Sequence, residues 1–222
     1  MPEKRISFRG YAPSHPVSIV PPAETRQTIF LLSPANLSGV RGKLLLRDSS
    51  KSELSQRLRS SQATLGDVFS FISGLYFRGK LAYATRFASP PAGISGIRVI
   101  TASGGLLSPD HPITLDRLRA MANSQVHPDN PEYRDPLVRD ARQLNDSLPP
   151  ETVVVLLGSI ATPKYLEPLL EIFGERLFFP SDFLGRGDMS RGSLLLRCTR
   201  EGLPLNYAAV GLTGLNTLLR RK

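Results

Sequence analysis

Short apolar runs alternate with stretches of helical spacing along most of this chain. "TIFLLSP", residues 28–34, is an apolar run bounded by turn residues, the pattern of a buried strand. "GIRVITASGGLLSPD" reads as a second strand ending in a Gly-Gly turn, "TVVVLLGS" as a third, rich in β-branched residues, and "RLFFPSDF" as a fourth. "SELSQRLRSS" and "LGDVFSFISGLYFRGKLAYATRFA" read as helices. In the second of these, Val68, Ile72, Leu75, Tyr76 and Tyr83 fall near helical spacing, and Gly79 marks a kink or a close approach. "TLDRLRAM" and "DPLVRDARQLNDSL" read as two further helices around the polar loop "NSQVHPDNPEYR".

After the third strand, Thr162 and Pro163 suit the N-cap and first position of a helix. Pro168 lies too deep for an undisturbed helix, so the pattern predicts a short turn, a restart and an end at Gly174. "SLLLRCTREGLPLNYAAVG" predicts a hairpin of two apolar arms around Glu201-Gly202. The sum is an α/β fold: a mostly parallel sheet flanked by helices, with a C-terminal antiparallel hairpin. Residues 1–27, with Pro2, Pro13, Pro16, Pro21 and Pro22, read as a proline-rich arm laid over a single domain of residues 28–222.

In parallel sheets, ligands lie beyond the carboxyl ends of the strands, and three such ends here are polar and glycine-bearing. The first carries Ser33 and Asn36, the second Ser103, Gly105 and Asp110, the third Gly158, Ser159 and Lys164. Gathered on one rim, their small side chains and backbone N–H groups suit an anion such as phosphate. None has the spacing of a phosphate-cradling loop or a dinucleotide fingerprint. The segment "SDFLGRGDMSRG" reads as a long loop in which Arg186 and Arg191 clamp phosphate, with Asp188 or Asp110 as the acid/base candidates.

Charge sharpens this. Lys+Arg of 28 against Asp+Glu of 19 gives a net charge of +9, with arginine well ahead of lysine. Arginine's planar fork matches phosphate, so nucleic acid becomes a natural partner. Arg78, Lys80 and Arg86, interleaved with Tyr76, Phe77, Tyr83 and Phe87, suit bases stacked beside phosphates, although aromatics at this spacing also build cores. Cys198 reads as a small buried residue inside an apolar strand. One cysteine and three histidines disfavour a zinc site, and no metal or cofactor is expected. No apolar run is long enough to cross a bilayer, and the first residues lack a signal-peptide core, so a bacterial cytoplasmic setting is expected.

Three segments taken together resemble the YaaA family of peroxide-stress proteins: "IFLLSPANL", the aromatic-rich "LYFRGKLAYATRFA", and "VITASGGLLSPDHPITLDRL". Asn36 stands where that family has lysine, and Gly104-Gly105 where it has Tyr-Gly. The resemblance implies DNA binding and a shared cleft lined by Ser33, Pro34, Asn36, Ser103, Gly105 and Asp110. Three readings follow. The first is a nucleic-acid-binding protein with a nucleotide or base pocket at the strand ends. The second is an enzyme acting on a phosphorylated or nucleoside small molecule. The third is a subunit of a bacterial defence or repair complex, reaching a protein partner through its N-terminal arm.

Overall fold

The structure is a computed structural model that describes residues 19–20, 26–160 and 163–211. In chain order the elements are β1 (Ile19–Val20), β2 (Thr28–Leu32), α1 (Val40–Leu45), α2 (Glu53–Arg59), β3 (Ala63–Thr64), α3 (Leu65–Ser73) and α4 (Leu75–Phe87). Then follow β4 (Ile97–Ile100), β5 (Leu106–Leu107), β6 (Pro112–Ile113), α5 (Leu115–Asn123) and α6 (Pro131–Ser147). The last are β7 (Val153–Leu157), α7 (Pro163–Phe173), β8 (Leu177–Pro180), α8 (Asp188–Glu201) and β9 (Tyr207–Ala209).

Among the described residues the main sheet has the order β1-β9-β8-β7-β2-β4-β5. Its centre, β8-β7-β2-β4, is parallel, and both flanks are antiparallel. β2 and β7 are paired along their whole length, Thr28 with Val153 through Leu32 with Leu157. Period-two alternation splits the strand residues between two cores. Phe30, Leu32, Val155, Leu157 and Phe178 face α3, α4 and α8, whereas Ile29, Leu31, Val154, Leu156 and Phe179 face α6 and α7. Covering both faces is what makes these strands continuous apolar runs rather than alternating ones.

The α/β class and the C-terminal antiparallel pair stand as the sequence predicts, but the arms of that pair differ. β9 pairs with β8, not with residues 193–199. Those residues belong to α8, which Gly202 terminates in the left-handed region at φ 69°. Cys198 is accordingly buried on a helix rather than in a strand. The arginine-bearing loop is also shorter than predicted. A 3-10 turn at Ser181–Phe183 precedes it and α8 begins at Asp188, so Asp188 and Arg191 lie on the first turn of a helix.

Two other helices depart from the pattern. The long aromatic segment is two helices, broken at Gly74 (φ 58°), while Gly79 stays helical and supplies a close approach to α8. α7 runs unbroken through Pro168. A proline there leaves the carbonyl of Lys164 without its helical N–H donor, and the hydroxyl of Tyr133 on α6 donates to it at 2.8 Å instead. α6 itself starts at Pro131, inside the stretch read as loop, with Asn130 capping the N–H of Glu132. Thr162 lies outside the described residues, as does most of the arm, of which Ile19–Val20 adds an edge strand beside β9.

Candidate functional site

From β2 the chain crosses to β4 on one side, then returns past β2 to β7 and continues outward to β8. Strand order therefore reverses between β2 and β7. The connections leaving their carboxyl ends diverge there, which opens the crevice where doubly wound sheets hold ligands. A cleft of about 680 Å³ occupies this place. Ser33, Pro34 and Asn36 after β2 form one wall, and Ser159, Lys164 and Tyr165 after β7 form another. Ala102 after β4 joins them, and Ser124, Gln125 and Val126 after α5 close the side. Tyr76 and Phe69 of the α3–α4 layer and Asp188 of α8 complete the lining.

Behind the Ser33 wall lies an unusual group. Lys80 of α4 is 1% exposed, and its ammonium nitrogen lies 2.6 Å from the carbonyl oxygen of Ser33 and 2.9 Å from Ser33 Oγ. It also stands over the faces of Tyr76 and Phe77, at 4.5 and 5.0 Å from the ring centroids. Burial lowers its pKa to about 7, against a smaller opposing pull from Asp188. The Tyr76 hydroxyl is buried with no acceptor for its hydrogen among the described residues. Burial pushes its pKa up to about 12 although Arg191 is near enough to favour the phenolate, so at neutral pH the hydroxyl keeps its proton. Tyr165 is likewise held above the ordinary range, first by burial and then by the charges of Tyr76 and Asp188.

A second hollow of about 340 Å³ adjoins the cleft, and the two share Ser159. Gly158, Phe183, Arg186 and Arg191 line it. Arg191 is anchored: its Nε and Nη2 donate to the carbonyl of Phe183 at 3.2 and 3.0 Å, and Nη1 stands 3.9 Å from Asp188. Arg186 is exposed and donates to the carbonyl of Asp182 and to Ser190 Oγ.

The first and third strand ends thus meet as the sequence predicts, with the arginine segment beside them. The second end mostly does not. Ser103 is half-buried outside the cleft lining. Gly105 (φ 67°) packs on α6, where an added Cβ would stand 2.1 Å from Asp140 Oδ2. Asp110 is exposed on a turn of its own, away from both hollows, which removes it from the acid/base candidates. Asp188 does reach the cleft, with a largely exposed carboxylate. Arg78 and Arg86 are exposed on α4, but Lys80 is not available as a surface phosphate contact.

Sequence reasoning missed the wall after α5, assigned Tyr76 to a base-stacking helix face rather than to this cleft, and misjudged Lys80. A signal existed for the last. Tyr76, Lys80, Tyr83, Ala84 and Phe87 fall at helical positions 0, 4, 7, 8 and 11, which places Lys80 in the middle of the apolar stripe.

Among the described residues, no group of three or more histidine, cysteine, aspartate or glutamate side chains could hold a metal ion, and no helix is long and apolar enough to cross a membrane. No family model matches the chain, and no curated protein or solved structure matches it.

Proposed function

We propose that the cleft binds a nucleotide unit, free or presented by a nucleic-acid strand, with DNA preferred to RNA. The observation that carries this is the junction of two hollows at Ser159: a nucleotide-sized cleft at the point of strand reversal, and beside it a hollow bearing Arg186 and Arg191. The first offers two tyrosines, hydroxyl and amide groups, and Lys164 at its rim, groups that suit the faces and edges of a base. The second offers guanidinium groups suited to phosphate. A net charge of +9 draws polyanions to the surface around them. The resemblance of residues 29–37, 75–88 and 99–118 to the DNA-associated YaaA family supports the same reading, and a cytoplasmic location goes with it.

A thermal-denaturation panel of nucleosides, mono- and diphosphates and short single strands tests the reading. A ligand present at a hundred times its Kd contributes about 2.7 kcal/mol of stability. A stabilising nucleotide is the expected result. Absence of any shift across the panel, together with oligonucleotide binding indifferent to salt, overturns it.

A further inference from the structure

We propose that Ser33 and Lys80 form a nucleophile–base pair for cleaving an acyl ester admitted to the cleft, with the Tyr76 hydroxyl as the donor to the carbonyl oxygen. This goes beyond ligand binding and does not rest on the ligand being a nucleotide; it needs only a carbonyl brought to Ser33.

Three observations converge. Ser33 is both a cleft wall and a neighbour of the lysine, with Oγ 2.9 Å from Nζ. A neutral amine at that distance can donate one hydrogen to the Ser33 carbonyl, at 2.6 Å, and use its lone pair to accept the Oγ proton. Lys80 sits behind Ser33 and does not line the cleft, so it is placed to act on the serine rather than on substrate. Tyr76 is 6% exposed, lines the same cleft and finds no acceptor for its hydroxyl hydrogen among the described residues, since its neighbour Arg191 can only donate, so its O–H is available. An oxyanion is the group that such a buried donor stabilises most.

Acyl chemistry is favoured over phosphoryl transfer at this point by charge. The charged side chain acting on Lys80 from a neighbouring element is the anionic Asp188 of α8, while β2 presents only the Ser33 carbonyl and hydroxyl. Arg191, held by the Phe183 carbonyl, lies close enough to the Tyr76 hydroxyl to favour negative charge on its oxygen. A neutral ester carbonyl meets no repulsion there.

The steps balance without a cofactor. Oγ bonds to the carbonyl carbon as its proton passes to Nζ. The tetrahedral adduct collapses, the carbon–oxygen bond to the leaving alcohol breaks, and the alcohol takes the proton back from Nζ. Water then attacks the acyl-serine while Lys80 receives its proton. The second adduct collapses with cleavage of the carbon–Oγ bond, Nζ returns the proton to Oγ, and the carboxylic acid leaves with Ser33 and the neutral amine restored.

The test is covalent labelling of the full chain with an alkyl fluorophosphonate, read by mass mapping of the modified peptide. Labelling is expected on Ser33, absent in Ser33→Ala, and slowed at least about a hundredfold in both Lys80→Met and Lys80→Arg, since arginine cannot act as a base. If the Lys80 variants do not fold, the pH profile of the unaltered protein decides. Its rate should rise and then level off as a single group loses a proton near pH 7, a dependence that a merely structural lysine does not impose. An unlabelled Ser33, labelling at an undiminished rate in folded Lys80→Met, or a rate without a plateau between pH 5 and 9 overturns the pair. Nucleotide stabilisation is read separately, so neither result stands in for the other.

Discussion

Gly79 of α4 and Gly192 of α8 meet backbone to backbone: a Cβ on Gly79 would stand 2.7 Å from the carbonyl oxygen of Gly192, and one on Gly192 would stand 2.9 Å from the backbone of Leu75. This contact sets how closely the two helices pack. It also holds Tyr76 and Lys80, on one side of the crossing, against the first turn of α8 with Asp188 and Arg191.

Gly79→Ala should therefore destabilise the fold by about 1–3 kcal/mol, because the added methyl has backbone rather than a yielding side chain to displace. Gly192→Ala should cost a similar amount. Combining the two should cost less than the sum, since both push the same helices apart. Urea denaturation of the three variants measures this; full additivity would separate the two sites.

Stability should depend on pH in a way that Lys80 dictates. Its pKa is near 7 when folded and about 10.4 in an unfolded chain. Below pH 7 both states hold the proton and the effect is flat. Between about pH 7 and 10 the unfolded state binds one proton more, so stability should rise, by at most about 1.4 kcal/mol per pH unit. Above pH 10 it should fall, since burial raises the pKa of Tyr76 and Tyr83 to about 12 in the fold while the unfolded tyrosines ionise near 10. Lys80→Met should remove the rising limb and leave the alkaline fall, in denaturant titrations taken across that range.

Tyr83 and Tyr207 join the two ends of the chain's core, their hydroxyls 2.6 Å apart, and Tyr83 also accepts from the N–H of Leu205 at 2.8 Å. Tyr83→Phe leaves two buried polar groups without their partner and should cost about 1–3 kcal/mol for each of them that stays unpaired. Tyr207→Phe should cost less, because Tyr83 keeps Leu205. Denaturation midpoints should rank the variants in that order.

Arg78 and Arg86 are exposed on α4, outside the cleft lining. If a strand runs over this helix, replacing both by alanine should lower the slope of log K against log salt by roughly 1–2 and weaken all sequences alike. The same change should leave mononucleotide affinity in the cleft intact. Lys164→Ala, at the cleft rim, should do the reverse.

The parallel centre of the sheet was legible because strands covered on both faces are apolar runs, as β2, β7 and β8 are, while β4 keeps Ile97, Val99 and Ile100 around a partly buried Arg98. The meeting of Ser33 with Ser159 followed from that layout. What misled was local and specific. Residues 194–196, three leucines, fit a strand as well as a helix, and the glycine that suits a hairpin turn also suits a helix end, which is what Gly202 provides. Pro168 looked like a break because the donor that rescues the Lys164 carbonyl, Tyr133, lies 31 residues away. By residue type Lys80 reads as a surface charge, although its place in the helical stripe points inward. A lysine is rarely buried, and only the Ser33 oxygens and two aromatic faces, brought together by folding, make a berth for one.

The most direct measurement is a map of backbone amide shifts as the nucleotide that most stabilises the protein is titrated in. The cleft account predicts perturbations centred on Ser33, Asn36, Ser159 and Lys164, spreading to Arg186 and Arg191 only when the ligand carries phosphate. Shifts confined to the exposed face of α4 around Arg78 and Arg86, with the amides of β2 and β7 unmoved, would contradict it.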